Sequence, residues 1–365
     1  MGAVEHRGAV LTFGSGHYVP ILKIKRGEKK ALQQISPQVR ARVTPLLEVV
    51  ARNAAKVATV AEHLDTAFKD LGKAVANFPR YLLDCREIAS DGQGAATEVF
   101  GRAARLGVPF TPVTGLSRGF DEKAALAHRA NGVAIRLTRD EFESGLIPGD
   151  LPVFVKTHAL RADEVDLIVD LGAVEDMVTP GIEALASAFL ADVPDKSRWR
   201  TLTVSACAFP LGMRGIDRNS FDVVERSEWQ AWRDGLHANR AQLERLPTFG
   251  DCAIQHPSGV EGFDPRIMPV SASIRYTLPD QWLLIKGVST RIIPPGEQFP
   301  DLATQLVYGH LSGNFARARH CTGCERMQAA ANGASKLGSA EVWRLLGTVH
   351  HITRTVEGIA GLTWP

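Results

Sequence analysis

Short apolar runs alternate with longer amphipathic stretches along most of the chain, and this alternation limits the folds it can adopt. Each run is rich in Val, Ile, Leu and Thr, and a polar turn and a stretch of helical spacing follow it. Such alternation predicts right-handed β-α-β crossovers and a parallel sheet covered by helices. The runs cover residues 19–26, 43–50, 80–87, 109–115, 132–138, 165–172, 199–207 and 251–257.

The number of strand-helix units separates two parallel folds. Eight units in about 250 residues match a (β/α)8 TIM barrel, whereas an open doubly wound sheet commonly has about five or six strands. Residues 151–159 leave the alternative open, because LPVFVKTHA could form either a helix or a ninth strand. We predict an α/β fold of the (β/α)8 TIM-barrel type, with the open sheet as the alternative.

The pattern changes after the eighth run. Residues 271–288 read as two strands joined at residues 278–281, which predicts a β-hairpin inserted after the last barrel strand. Segments 295–311 and 337–360 have helical spacing, and either could be the eighth helix of the barrel. Residues 312–335, rich in Gly, Ala and Ser, are predicted to form a loop over one face.

No low-complexity segment divides the chain, so residues 1–365 are predicted to form a single domain. Within it, residues 258–336 are expected to hold the hairpin and loop insertion, and residues 337–365 the C-terminal helix. The five cysteines are odd in number and lie mostly in apolar runs, which argues against a disulfide scaffold.

Charge and hydrophobicity limit the partners of this domain. The 42 Lys and Arg residues against 40 Asp and Glu residues give a net charge of +2. Binding to nucleic acid or to an anionic membrane through bulk charge is therefore not expected. There is no apolar run of about 18 residues, and the first residues lack a signal-peptide pattern. We expect a cytoplasmic protein with no membrane partner.

Charged residues at the ends of the runs are the main indication of a site. The carboxyl ends of barrel strands converge on one mouth, and alternate residues of each strand point inward. A charge in a strand that is buried on both faces costs several kcal/mol unless it is paired. Such charges are therefore expected at a shared mouth, where residues of opposite charge meet. This reasoning places Lys23, Lys25, Arg86 and Arg136 there with Glu48, Asp84 and Asp170, and adds Thr114, Ser205 and either Gln255 or His256.

A mouth of mixed charge suits a small anionic ligand, such as a phosphate, a carboxylate or a nucleotide, held by Lys and Arg. Glu48 or Asp170 could act as a general acid or base. Lys25, crowded by Lys23, could have a lowered pKa and act as a nucleophile, although a plain ion pair is the more common role and nothing specific to aldolase chemistry is present. The three carboxylates could hold Mg²⁺, but no Asp-x-Asp cluster supports that.

A C-x-x-C pair lies in the predicted loop. Cys321 and Cys324 follow His320, and His310 lies eleven residues before the first cysteine. A Cys2His2 zinc set from these four residues has adjacent ligands and an unfamiliar spacing, so a pair of solvent-exposed thiols is favoured and no metal ligand is assigned. A redox C-x-x-C normally opens a helix after a strand, and the sequence does not predict that context here.

The end of the chain carries two adjacent histidines in EVWRLLGTVHHI. Trp343, Gly347 and His350 or His351 lie on neighbouring faces of a predicted helix. A packed amphipathic helix explains this spacing. The alternative is that Arg344 and one histidine lean over the barrel mouth.

Several stretches together resemble the beta protein family, named after a protein of T-even bacteriophages and also found in bacteria. The matching stretches are YVPILKIKRGEKKAL, TPLLEV, VDLIVDLG, YTLPDQWLLIKG and WRLLGTVHHI. The likeness spans nearly the whole chain and supports the fold and its boundaries. Lys286 stands where Arg is usual in the family, and the stretch with Cys321 and Cys324 lies outside the pattern.

The resemblance transfers no activity, but it singles out residues at motif positions, namely Lys23, Lys25, Glu48, Asp84, Arg86, Asp170, Trp343, Arg344 and His350. Our first hypothesis is a hydrolase or lyase with a small anionic ligand at the mouth and no assigned cofactor. Its catalytic candidates are Lys25, Glu48, Asp84 and Asp170, and its ligand-binding candidates are Lys23, Arg86, Thr114, Arg136, Ser205, Gln255, His256, Arg344 and His350. The alternative is a non-catalytic ligand sensor or protein-binding module in phage-host conflict, such as antiviral defence, whose ion pairs are structural.

Overall fold

The computed structural model describes residues 12–213, 215–259, 271–333 and 338–362. In these ranges, eight parallel strands close into a barrel and three further strands form a separate sheet. The predicted barrel is therefore confirmed. In chain order the strands are β1 (Tyr18–Lys23), β2 (Leu46–Glu48), β3 (Tyr81–Asp84), β4 (Phe110–Thr114), β5 (Val133–Thr138), β6 (Val165–Ala173), β7 (Thr201–Cys207), β8 (Ser220–Glu225), β9 (Thr248–Asp251), β10 (Ser271–Thr277) and β11 (Gln281–Ser289).

Helices fill most connections between the barrel strands, as the alternating pattern predicts. A π-helical turn, Ala231–His237, directly follows the tenth helix. The helices are α1 (Arg26–Gln34), α2 (Pro37–Arg40), α3 (Val60–Phe68), α4 (Leu71–Val75), α5 (Gly92–Arg105), α6 (Glu122–Ala127), α7 (Arg139–Glu143), α8 (Ile147–Thr157), α9 (Thr179–Asp192), α10 (Ser227–Gln230), α11 (Pro295–Val307), α12 (Thr322–Ala331) and α13 (Ala340–Ala360).

Strands β1 to β7 and β9 form the barrel, with β9 hydrogen-bonded to both β7 and β1. Nearly every residue of these strands is buried, so their sequences are mostly apolar runs with few charged residues. A buried ionic group also closes the end opposite the mouth. There Asp166 accepts hydrogen bonds from Arg80 and from Arg200, the latter at 2.7 Å.

Residues 151–159 belong mainly to α8, so the ninth strand of the open-sheet alternative does not form. The predicted eighth strand, 251–257, is wrong in its position, because β9 ends at Asp251. The Asp251 carboxylate accepts a hydrogen bond of 2.8 Å from the Ala253 amide, and Ala253 has a φ of 55°, so the chain turns out of the sheet here.

The predicted hairpin forms as β10 and β11, and β8 pairs with β11 to complete an antiparallel sheet. Residues 312–335 were predicted as a loop but contain α12, which the Cys321 side chain caps by accepting a hydrogen bond from the Cys324 amide. Helix α13 packs against β10, α1 and α12 and also contacts β1. It therefore joins the antiparallel sheet to the barrel.

Within the described residues, no helix is both long and apolar enough to cross a bilayer.

Candidate functional site

The register of the first barrel strands brings their charged ends together. Lys23 pairs with Glu48 across β1 and β2, and Glu48 pairs with Asp84 across β2 and β3. On the other side of the barrel, Asp170 of β6 pairs with Ser205 of β7. Each of these residues ends or nearly ends its strand, so all of them lie at the mouth.

Arg136 of β5 connects these carboxylates. Its guanidinium donates to Glu48 Oε1 at 2.7 Å, to Asp84 Oδ2 at 2.9 Å and to Asp170 Oδ2 at 2.7 Å. The arginine is 1% exposed, and the three carboxylates are at most 4% exposed. Three buried anions thus share one buried cation, which gives each of them a charge-assisted hydrogen bond.

Further cations complete the arrangement. Arg86 lies 3.4 Å from Glu48 and 3.5 Å from Asp170, and Lys23 lies 3.6 Å from Glu48. Arg118 donates to Asp84 at 2.6 Å. We call this group the mouth ring. Its members are Lys23, Glu48, Asp84, Arg86, Arg118, Arg136 and Asp170.

The ring fixes the charge state of its two aspartates. Burial alone would raise the pKa of Asp84, but the charges of Arg118 and Arg136 outweigh it and hold that pKa well below its ordinary value. For Asp170 the charges of Arg136 and Arg86 outweigh burial in the same way, so its pKa is also lowered. Both groups are therefore ionised at neutral pH and engaged with arginine.

Little space remains beside the ring. A cavity of about 10 Å³, bordered by Lys23, Glu48, Cys252, Gln255 and His256, has room for about one water molecule. Gln255 and His256 lie in the turn after β9, where Gln255 donates to Glu28 and His256 contacts Glu175 at 2.8 Å. Both predicted residues therefore border the mouth without joining the ring.

The structure brings most of the predicted site residues together. Ser205 donates to Asp170 at 3.0 Å, and Thr114 donates to Asp121 at 2.7 Å, next to Arg118. Three of the predicted residues do not join the ring. Strand β1 ends at Lys23, so Lys25 lies outside it, Arg344 is exposed on α13, and His350 faces the cysteine pair instead of the mouth.

A larger opening lies beside the mouth, between α1 and the helices α3 and α4. It has a volume of about 700 Å³. One carboxylate, Asp70, is among its lining residues. We call this opening the basic cleft, because Lys25, Arg26, Lys29, Lys30, Lys69 and Lys73 also line it.

Four of the cleft's cations have partners. Arg26 and Lys30 pair with Glu341, and Lys73 pairs with Asp70 at 2.9 Å. Lys29 donates to the carbonyl oxygens of Thr66, Ala67 and Lys69 at the end of α3. Its charge therefore stabilises the C-terminus of that helix.

Lys25 and Lys69 differ from the others, because neither side chain has an ion pair or hydrogen bond with any residue that the structure describes. Lys25 is partly buried at the start of α1. Burial, followed by the nearby charges of Lys23 and Arg344, lowers its pKa despite the opposing effect of Glu28. The amine is thus held where its positive charge is poorly compensated.

The cysteine pair occupies a different part of the molecule, where α12 meets α13. Cys324 and His350 are fully buried, and Cys321 is partly buried. The exposed pair of thiols expected from the sequence is therefore wrong. His310, which the sequence offered as a fourth zinc ligand, is exposed and lies with its ring tilted against that of Phe221 instead.

The adjacent histidine, His351, faces the barrel. Its Nε2 lies 3.0 Å from Asp251 Oδ2, and its Nδ1 lies 3.0 Å from Thr277 Oγ1. Tyr18 of β1 also donates to Asp251. This buried network ties α13 to both β1 and β9.

Sequence reasoning missed Arg118 of the ring and most of the basic cleft. Arg118 lies in the turn after β4, where strand parity gives no information. The density of lysine in KIKRGEKK was a visible signal for the cleft. Lys69 and Lys73 could be added to it only once α3 and α4 were placed beside α1.

Comparisons with known proteins gave one match. A family model described as "Beta protein" matches residues 18–357. No curated protein and no solved structure matches the chain.

Proposed function

The chain belongs to the Beta protein family, and on that premise we propose that it binds a small anionic ligand in the basic cleft beside the barrel mouth. The single observation that carries the proposal is an open volume of about 700 Å³ lined by six cationic side chains and one carboxylate. Like charges repel, and an anion would relieve that repulsion.

Lys25 and Lys69 are the residues best placed to hold the anion. The other four cations of the cleft already have protein partners, whereas these two have none in the described ranges. Lys25 immediately precedes α1 and does not cap it. The positive end of that helix therefore adds to the charge of the lysine, as in many phosphate sites.

The size of the cleft indicates the class of ligand. Small-molecule sites commonly enclose about 300–1,000 Å³, and the basic cleft falls in that range. Several cations around one volume suit an anion with more than one charge. A nucleotide or a compound with a diphosphate group meets both conditions.

The mouth ring supports a structural role better than a catalytic one. A general base needs a carboxylate oxygen that can reach a substrate proton, and Arg136 and its neighbours already occupy oxygens of Glu48, Asp84 and Asp170. We therefore propose binding by the cleft as the main function, with the ring holding the adjacent strand ends in place.

A lyase reaction through Lys25 is the second candidate. Its lowered pKa, caused mainly by burial, increases the fraction of neutral amine, which is the form that attacks a carbonyl carbon. Borohydride trapping of the protein with a mixture of phosphorylated aldehydes and ketones tests this. A covalent adduct on Lys25 is expected, and its absence would reject this second candidate only.

Calorimetric titration with pyrophosphate and with ATP tests the main proposal. We expect the Lys25→Met and Lys69→Met variants each to lose about tenfold or more in affinity, since a lost ion contact worth 1.4 kcal/mol costs a factor of ten. Lys156→Met, which removes an exposed lysine from α8, is the matched control and should bind like the unmodified protein. Equal affinities in all four proteins, or no binding of either probe, would overturn the proposal.

A further inference from the structure

Two histidines and a cysteine meet at the junction of α12 and α13, and a second cysteine lies beside them. His320, Cys321 and His350 each offer a donor atom, and the three atoms lie within 4.8 Å of one another. The Cys324 sulfur lies 3.2 Å from His350 Nδ1. We propose that these four residues bind a zinc-class divalent cation, with two thiolates and two imidazoles as ligands.

The distances from His350 Nδ1 to the two cysteine sulfurs are close to those expected in a zinc site. Zn–S bonds of about 2.3 Å and Zn–N bonds of about 2.0 Å in a tetrahedron place a sulfur and a nitrogen about 3.5 Å apart. His350 Nδ1 lies 3.2 Å from the Cys324 sulfur and 3.9 Å from the Cys321 sulfur. These two edges therefore match a tetrahedron, and a donor atom of His320 lies within 4.8 Å of those of Cys321 and His350.

Hydrogen bonding sets the tautomer of His350 for metal binding. Its Nε2 lies 2.8 Å from the Thr277 carbonyl oxygen, which can only accept, so Nε2 carries the proton. The lone pair of Nδ1 is therefore directed at the two sulfurs. Metal-bound histidines commonly donate their other N–H to a carbonyl or carboxylate in this way.

His320 has the same kind of support. Its Nδ1 lies 3.3 Å from the Glu357 carboxylate, so Nδ1 is the proton donor and Nε2 holds the lone pair. That Nε2 is buried and has no hydrogen-bond partner in the described part of the chain. An unpartnered buried acceptor beside Cys321 is costly in a bare protein, and coordination would satisfy it.

The position of the two thiols at the start of α12 also favours metal binding. Cys321 begins α12 and Cys324 lies one turn into it, so both sulfurs meet the positive end of a ten-residue helix. Cysteine binds zinc as the thiolate, so metal binding here would displace the protons of these thiols.

The metal would fasten the C-terminal helices to the barrel. His350 would hold the ion, while the next residue, His351, bonds to Asp251 of β9. Through these neighbouring histidines, α13 would connect the turn before α12 with the wall of the barrel. This inference is independent of anion binding in the basic cleft, which lies on other helices.

Elemental analysis of the reduced protein, loaded with Zn²⁺ and desalted, tests the proposal. We expect one zinc ion per chain in the unmodified protein and in the Cys252→Ser control, which removes a buried thiol elsewhere. The double variant His320→Gln/Cys321→Ser changes only the two partly exposed ligands and should lose the ion. Zinc below one tenth of an ion per chain in the unmodified protein, or full retention in the double variant, would overturn the proposal.

Titration of the unmodified protein with Co²⁺ keeps the test independent of how the variants fold. Tetrahedral binding to thiolates should produce intense d–d absorption and a thiolate-to-metal charge-transfer band, and added Zn²⁺ should abolish both. Weak octahedral absorption would contradict the ligand set. A mass lower by two hydrogens in untreated protein, assigned by peptide mapping to Cys321 and Cys324, with no metal bound after reduction, would instead identify a Cys321–Cys324 disulfide.

Discussion

The mouth ring and the basic cleft lie side by side and contain the same kinds of side chain in opposite arrangements. In the ring, every cation lies within 2.6–3.6 Å of a buried carboxylate oxygen, and little open volume remains. In the cleft, cations face a space of about 700 Å³, and two of them have no partner among the described residues.

Desolvation explains the difference. A charge removed from water costs several kcal/mol, so it persists inside a barrel only when opposite charges and hydrogen bonds compensate it. Unpaired cations persist only where water or a ligand can solvate them. The comparison shows that charge at the mouth of a barrel is not by itself evidence of a binding site, because pairing and open space decide what the charge does.

Removing the central arginine of the mouth ring should have the largest effect on the free energy of unfolding. Arg136→Met leaves three buried carboxylates without their shared cation, and we expect a loss of about 3–5 kcal/mol in the free energy of unfolding. Urea unfolding followed by circular dichroism measures it. Arg86→Met, at a side chain that is 28% exposed, is the control and should cost about 1 kcal/mol or less. A loss below 1 kcal/mol for Arg136→Met would contradict the structural role of the ring.

The opposite end of the barrel provides a second test of buried pairing. Asp166→Asn leaves Arg80 and Arg200 without their carboxylate, and we expect it to lower the free energy of unfolding by about 3 kcal/mol. Pyrophosphate affinity should be unchanged, because this group lies far from the cleft. A weaker affinity in a fully folded Asp166→Asn protein would contradict the separation of the two functions.

Glu228 is a buried acid outside the mouth ring, and its pKa shifts in the opposite direction. Both carboxyl oxygens are buried, and burial outweighs the opposing charge of Arg226 and raises the pKa of this group to about 8. In the unfolded chain Glu228 ionises near pH 4.5, whereas in the folded chain it stays protonated up to about pH 8. The free energy of unfolding therefore falls as pH rises from 4.5 to about 8.

We therefore expect Glu228→Gln to stabilise the protein at pH 8 by about 1–3 kcal/mol and to leave its stability at pH 4.5 nearly unchanged. Thermal unfolding at both pH values measures this difference. Equal stability of the two proteins at pH 8 would show that Glu228 has a compensating partner.

The smallest effect on stability is expected in the cleft. Lys25→Met removes a partly buried cation that pairs with no described residue, so the free energy of unfolding should change by no more than about 0.5 kcal/mol. Urea unfolding of the Lys25→Met and Arg136→Met variants in parallel compares the two stability changes directly. A loss of more than 1 kcal/mol would mean that Lys25 belongs to the structure and would weaken its assignment to ligand binding.

The barrel could be predicted from the sequence because buried parallel strands leave continuous apolar runs that are easily counted. The predicted position of the eighth barrel strand is wrong because residues 251–257 are as apolar as the true strand, residues 248–251. Only the turn at Ala253 shows where the strand ends. Helix α12 was missed because its cap is a cysteine, which lies outside the usual N-cap residues.

The ring could be predicted because strand parity and the cost of burying a charge both act locally. Glu48, Asp84, Arg136 and Asp170 were placed correctly on those grounds. Pairing and open volume depend on distances between segments far apart in the chain. For that reason the sequence could not show that the ring was filled, or that Lys69 would lie across a cleft from Lys25.

A crystal structure of the protein with pyrophosphate tests the central claim most directly. The account predicts density for the anion in the basic cleft, within hydrogen-bond distance of Lys25 and Lys69, with the bonds from Arg136 to Glu48, Asp84 and Asp170 unchanged. Density for the anion on Arg136, with those bonds opened, would contradict it.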